Sequence, residues 1–188
     1  MKPAGKAELR ERLLAWRRTV SLDDVRGWSR ELRDRLLAAA VLKPAGLVFS
    51  YHALVREPQT ADLERELRSA GVGLARPLVV GRGLQPRRFD PAHPDLDAAA
   101  LAPLDPLAVD AVLVPGLGFD AAGGRLGRGG GHYDRLLAEL RPDCVRIGLC
   151  FHGQLLDRVP SDPWDQPVDW IVTERGLWRG RRRVGSGG

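Results

Sequence analysis

The sequence predicts an α/β fold built on a mainly parallel sheet, and three observations carry that expectation. Short apolar runs recur at 46–51, 73–80, 111–114, 145–151 and 168–173. Segments with helical patterning separate several of these runs, and parallel strands need crossovers of that length. The stretch from Val112 to Leu140 (VLVPGLGFDAAGGRLGRGGGHYDRLLAEL) reads as a buried strand, a glycine-rich turn and a helix opening near Gly130. A helix start behind such a turn offers unpaired N–H groups and a positive dipole end, a common way to hold a phosphate. The expected architecture is a three-layer α/β/α, Rossmann-like single domain over residues 1–179. A disordered basic Gly/Ser tail is expected at 180–188.

The elements follow in order. Residues 5–18 form an amphipathic pattern with Leu9, Leu13 and Trp16 on one face and Leu14 widening it. Lys6 and Arg10 are four apart and share a face, either as a solvated basic patch or as anion contacts. Ser21, with Asp24 three residues on, starts a second helix to about Ala40, which Pro44 and Gly46 break. After the first strand, Pro58 marks a turn and Thr60 caps a helix to about Ala70, with Asp62 and Glu64 in its first turn. Glu57 then lies on the loop at a strand's C-terminal end. It is an exposed loop carboxylate or a ligand contact, because open α/β sheets bind ligands at that edge. Residues 85–89 suggest a short strand, and 90–106 an irregular connection with a short helix near 96–101. The helix after the glycine-rich turn carries Tyr133, Leu136, Leu137 and Leu140 and ends at Pro142.

Bulk properties narrow the class. The 188 residues suit one domain, and 44% hydrophobic with 28% charged residues is ordinary for a globular protein. No run is apolar and long enough to span a bilayer, and the charged N-terminus lacks the apolar core of a signal peptide. A cytoplasmic protein is expected. Cys144 and Cys150 bound one apolar run, face one side and lie too far apart along a strand to bond; without a CxxC or Cys/His cluster there is no zinc signature. The net charge of +5 fits nucleic acid or a polyanionic small molecule. Lysine occurs only as Lys2, Lys6 and Lys43 in a chain that otherwise uses arginine.

The loop from Gly123 to Gly131 fits neither common phosphate template. It has no Lys-Ser/Thr ending, and His132 interrupts the G-x-G-x-x-G spacing. A flexible linker could look similar, but strand and helix signals abut both ends, and Arg125 and Arg128 inside it can fork onto phosphate oxygens. Asp134, in the first helical turn, either complements the dipole or serves magnesium beside a triphosphate, and Asp165 and Asp169 present the same alternatives.

The run Pro115-Gly-Leu-Gly-Phe-Asp120, followed by Gly124-Arg-Leu-Gly-Arg-Gly-Gly-Gly-His-Tyr-Asp-Arg135, resembles the signature of 5-formyltetrahydrofolate cyclo-ligases, also called methenyltetrahydrofolate synthetases. Lys6-Ala-Glu-Leu-Arg10, Glu57-Pro-Gln-Thr60 and Asp165-Gln-Pro-Val-Asp169 with Val172-Thr-Glu174 are similar to further family segments, in the same order. The resemblance implies ATP- and magnesium-dependent closure of 5-formyltetrahydrofolate to 5,10-methenyltetrahydrofolate. It implies that Lys6 and Arg10 contact ATP phosphates, and that Arg125, Leu126, Gly127, Arg128, Gly129, Gly130, Gly131, His132 and Tyr133 wrap the nucleotide. Arg125, Arg128 and Tyr133 would act in catalysis. His52 and Glu57, with Arg128 to His132, would contact the folate, Glu57 accepting pterin N–H groups. Asp134 and Asp165 would hold Mg2+.

Two departures stand out. His132 replaces the family's Phe or Tyr, and 85–105 is shortened, with Leu101-Ala-Pro-Leu-Asp105 in place of a Gly-Ile-x-Glu-Pro element. A monomer acting on small molecules is expected, with neither membrane nor nucleic acid as partner. Alternatives are a paralogue using another N-formyl or non-folate substrate, and an RNA-binding module suggested by the high pI and by Arg181 to Arg183.

Overall fold

The computed structural model describes residues 5–42, 45–94 and 96–180, so residues 181–188 of the tail expected at 180–188, Lys2, Lys43 and Pro44 lie outside the described residues. The helices are α1 (Lys6–Thr19), α2 (Leu22–Ala38), α3 (Ala61–Ser69) and α4 (His132–Glu139). A seven-stranded sheet contains β1 (Leu47–Phe49), β2 (Gly73–Val80), β3 (Gly83–Phe89), β4 (Ala111–Pro115), β7 (Val145–Leu149), β9 (Trp170–Val172) and β10 (Leu177–Arg179). A three-stranded sheet holds β5 (Gly118–Asp120), β6 (Arg125–Leu126) and β8 (Leu155–Leu156).

The large sheet runs in the order β10-β9-β7-β4-β1-β2-β3. Its interior pairs β2–β1, β1–β4, β4–β7 and β7–β9 are parallel, whereas the edge pairs β2–β3 and β9–β10 are antiparallel. Starting from β1, the chain first moves outward to β2 and β3, then returns to the other side of β1 through β4. The strand order therefore reverses between β1 and β4, and an open sheet leaves a crevice beyond the carboxyl ends at such a point.

Residues alternate between two buried faces, as the pleat requires. Val48, Leu74, Leu113, Ile147 and Leu149 pack with Leu32 and Leu36 of α2 and Leu63 and Leu67 of α3. Phe49, Ala75, Val112, Val114 and Ile171 pack on the opposite face with Leu136 and Leu137 of α4. Cys144 and Cys150 form no disulfide and are buried in this second cluster, on one side as the spacing predicts. α1 packs through Leu9 and Leu13 against Leu117, Leu126 and Val159, beside the small sheet. No described helix is long and apolar enough to cross a membrane.

Several expectations shift. The 145–151 strand ends at Leu149, with the Cys150 N–H still donating to the Val172 carbonyl at 3.2 Å. The 85–89 strand begins at Gly83 and forms a tight hairpin with β2. The helix near 96–101 is one 3-10 turn, Ala98–Ala100, capped by Asp97. Ser21 caps α2, its hydroxyl accepting the Asp24 N–H at 3.0 Å. Thr60 occupies the cap position of α3 but its side chain caps no backbone N–H; its Oγ1 lies 3.3 Å from the Tyr51 carbonyl and 3.1 Å from Glu64 Oε1. The largest correction concerns the central stretch. Between β4 and α4 the chain forms the β5–β6 hairpin rather than a plain turn, so Arg125 and Leu126 sit on a strand. Alternation over two or three residues is too short to show in a sequence.

Candidate active site

The small sheet and α1 close over the crevice between β1 and β4 and leave a cavity of about 490 Å³. The backbone at the exit of β4 (Pro115 and Gly116) and the loop after β1 (His52, Leu54 and Glu57) form its floor. All residues that the resemblance assigns to ATP, folate or metal line it. They are Lys6, Arg10, His52, Glu57, Arg125 to Tyr133, Asp134 and Asp165.

The glycine-rich segment is held at both ends. Asp120 anchors the hairpin, its carboxylate accepting N–H groups from Ala122 at 3.0 Å, Gly124 at 2.9 Å and Val159 at 2.7 Å. At Gly123 φ is +97°, and a Cβ would stand 2.4 Å from the Val168 carbonyl oxygen, so only glycine lets the hairpin approach the segment leading into β9. Gly131 caps α4 in the left-handed region, at φ 65°. In between, Arg10 Nε donates to the Gly127 carbonyl at 2.9 Å and ties the loop to α1.

Charged groups meet in pairs. Arg125 is nearly buried and donates to Asp134 Oδ2 at 2.8 Å. Asp134 Oδ1 accepts the N–H of Gln166 at 3.2 Å, which brings the segment carrying Asp165 alongside. Lys6 Nζ donates to Asp162 at 2.6 Å and also to Asp165. Burial disfavours the Lys6 charge, but the hydrogen bonds and charges of these two aspartates together outweigh it and raise the ammonium pKa above its ordinary value. Glu57 is buried and accepts from Arg17 Nη1 at 2.9 Å and Arg128 Nη2 at 3.1 Å on Oε1, and from the Leu54 N–H at 3.1 Å on Oε2.

Two further groups set the protonation pattern. Tyr133 keeps its hydroxyl buried with no hydrogen-bond partner, while the Arg125 guanidinium lies 5.7 Å from its ring centroid. Burial drives its pKa far up, only partly offset by Arg125, so the phenol is a donor and not a base. His52 Nδ1 lies 3.4 Å from Arg76 Nη1. Partial burial, then the Arg76 charge, lowers its pKa below the ordinary value, against the pull of Glu64. His132 Nδ1 is 3.0 Å from the Arg82 carbonyl oxygen, so the β2–β3 turn leans on the start of α4.

Sequence reasoning missed Arg17, and it left Asp162 and Trp164 out of the site. Arg17 follows Leu9 and Leu13 at four-residue spacing, so a charge on an apolar stripe was the available signal. Asp162 and Trp164 line the cavity, but nothing in a loop with several aspartates singles them out. Asp169 stays outside; its Oδ2 accepts the Arg146 N–H at 2.8 Å and fixes β9 beside β7.

Known proteins resemble this chain in sequence and in fold. The model of the 5-formyltetrahydrofolate cyclo-ligase family matches residues 2–174. A 5-formyltetrahydrofolate cyclo-ligase of Mycolicibacterium smegmatis is 30% identical over 94% of this chain and 98% of its own length. The solved 5,10-methenyltetrahydrofolate synthetase of Aquifex aeolicus is 29% identical, covers 97% of this chain and 94% of its own, and superposes with a TM-score of 0.80. A 5,10-methenyltetrahydrofolate synthetase from Mycoplasma pneumoniae shares the fold, with a TM-score of 0.79 at 24% identity over 91% of this chain and 99% of that one. By its sequence, its fold and the signature that lines its cavity, this chain belongs to the 5-formyltetrahydrofolate cyclo-ligase family.

Proposed function

We propose that this protein closes 5-formyltetrahydrofolate to 5,10-methenyltetrahydrofolate, using ATP and magnesium and releasing ADP and phosphate. The observation that carries the reading is convergence. Cations from α1 and the β5–β6 hairpin, a buried carboxylate after β1 and aspartates from α4 and the 157–169 loop meet around one cavity. It offers anion-binding, folate-binding and metal-binding groups together.

The formyl oxygen attacks the γ-phosphorus and ADP leaves. N10 then adds to the activated carbon, the carbon–oxygen bond breaks, and the N10 proton leaves with the phosphate. This chemistry asks for alignment and charge neutralisation rather than a protein nucleophile. Lys6, Arg10, Arg125 and Arg128 neutralise phosphate oxygens. Glu57 accepts paired pterin N–H groups and sets the folate's orientation. Tyr133, its hydroxyl buried and held protonated, acts through Arg125, whose guanidinium lies 5.7 Å from its ring centroid.

Magnesium fits the donor set. Asp134 and Asp165 supply hard carboxylate oxygens on adjacent segments, and no cluster of three or more His, Cys, Asp or Glu forms a closed protein cage among the described residues. Magnesium commonly takes one or two carboxylates with phosphate oxygens and water completing its shell. When bound it would neutralise charge developing on the transferred phosphoryl group.

The test is spectroscopic. Purified protein with 5-formyltetrahydrofolate, ATP and magnesium should produce the absorbance of the methenyl product, and omission of either ATP or magnesium should abolish it. Folded protein that binds ATP yet yields no product would favour a paralogue with a different substrate.

A further inference from the structure

Position 17 departs from the rule that organises the rest of its helix. The buried residues of α1 are Leu9, Leu13 and Arg17, each four residues apart on one stripe. A leucine at 17 would prolong the packing. Replacing a buried ion pair with apolar groups is often neutral or stabilising, so stability alone does not explain a buried arginine there.

The contacts give a reason. Arg17 Nη1 donates to Glu57 Oε1 at 2.9 Å, and Nη2 donates to the carbonyl of Gly116. Glu57 and Gly116 line the cavity, while Arg17 stands behind them and does not. One guanidinium fork thus joins the carboxylate after β1 to the backbone leaving β4, across the point where the strand order reverses. Arg128 reaches the same Oε1 atom at 3.1 Å, but its side chain is 53% exposed against 5% for Arg17. A ligand arriving from the cavity therefore competes with Arg128 and not with Arg17.

We propose that Arg17 is a positioning residue for the folate site. It keeps the Glu57 carboxylate aimed into the cavity from behind, so that substrate N–H groups displace Arg128 and release that guanidinium towards the reacting groups. The proposal rests on the reading of Glu57 as the folate contact. Arg17 touches no substrate and acts through Glu57.

A double-mutant cycle tests this. Arg17→Met should raise KM for 5-formyltetrahydrofolate by about ten- to a hundredfold, with kcat and KM for ATP within about twofold. In a Glu57→Gln background, Arg17→Met should add no more than about twofold, because the group it positions no longer carries the charge. Arg17→Lys, which can pair with Glu57 but lacks the second prong of the fork, should recover part of the loss and is the variant to use if Arg17→Met fails to fold. An unchanged folate KM, an equal rise in both KM values, or full multiplication of the two effects in the double mutant would each overturn the proposal. Wild-type protein without folate turnover would remove the cyclo-ligase reading and the proposal together, whereas normal wild-type turnover with a silent Arg17→Met removes the proposal alone.

Discussion

His52 and Asp134 show how single residues in this cavity answer to their neighbours. His52 titrates below the ordinary histidine value of 6.5 because of burial and Arg76. The unfolded chain therefore takes up that proton before the folded chain does. The corresponding stability is present above the unfolded value and is lost as pH falls through the folded one. Urea unfolding between about pH 7 and pH 5 should show a shallow decline that His52→Gln removes, His52 being partly exposed. Equal slopes for the two proteins would contradict the assignment. Asp134 has two tasks in the proposed reaction, pairing with Arg125 and serving magnesium. Asp134→Asn should raise the magnesium concentration for half-maximal turnover by about tenfold or more. A magnesium titration unchanged from wild type would exclude the metal role. Both residues were visible in the sequence through the resemblance. Their partners were not, because Arg76 and Arg125 reach them only through strand pairing and the hairpin.

At the scale of elements, the glycine-rich segment behaves as a set of fixed corners. Gly131 sits at φ 65°, and an added Cβ would stand 2.9 Å from Arg135 Nη1. Arg135 is itself engaged, donating from Nε to the Arg82 carbonyl and from Nη2 to the Gly130 carbonyl, each at 2.6 Å. Gly131→Ala should cost about 1–2 kcal/mol in urea denaturation, the ordinary penalty for a side chain in the left-handed region. It should also slow turnover, because the start of α4 carries His132 and Tyr133 into the cavity. Wild-type stability and rate together would show that the corner is not constrained. Helices α1, α2 and α3 were legible from spacing, and α2 also from its Ser21 cap, because each spans several turns. The β5–β6–β8 sheet was not, since its strands have two or three residues and gain their register only from each other and from α1.

For the whole molecule, charge and topology act together. The chain carries a net charge of +5, and Lys6, Arg10, Arg125 and Arg128 gather at one cavity. A polyanionic substrate should be drawn to it, and salt should screen that attraction. KM for ATP should therefore rise several-fold between about 50 and 500 mM salt, with kcat changing little. A salt-independent KM would mean that pairing with Asp134, Asp162, Asp165 and Glu57 already cancels the cavity's field. The sequence by itself determined the alternation of strands and helices, the Ser21 cap, the buried thiols and the long signature around Gly124 to Arg135, because each depends on residues close in the chain. It also supplied the residues expected at the site, through resemblance to a family. Only the tertiary structure decided that the sheet reverses between β1 and β4, that both its edges are antiparallel, and that a second small sheet carries Arg125. It alone showed Arg17 behind Glu57 and Lys6 against Asp162 and Asp165. These pairs join residues tens to more than a hundred positions apart, and their geometry comes from packing two faces of one sheet, which no local pattern encodes.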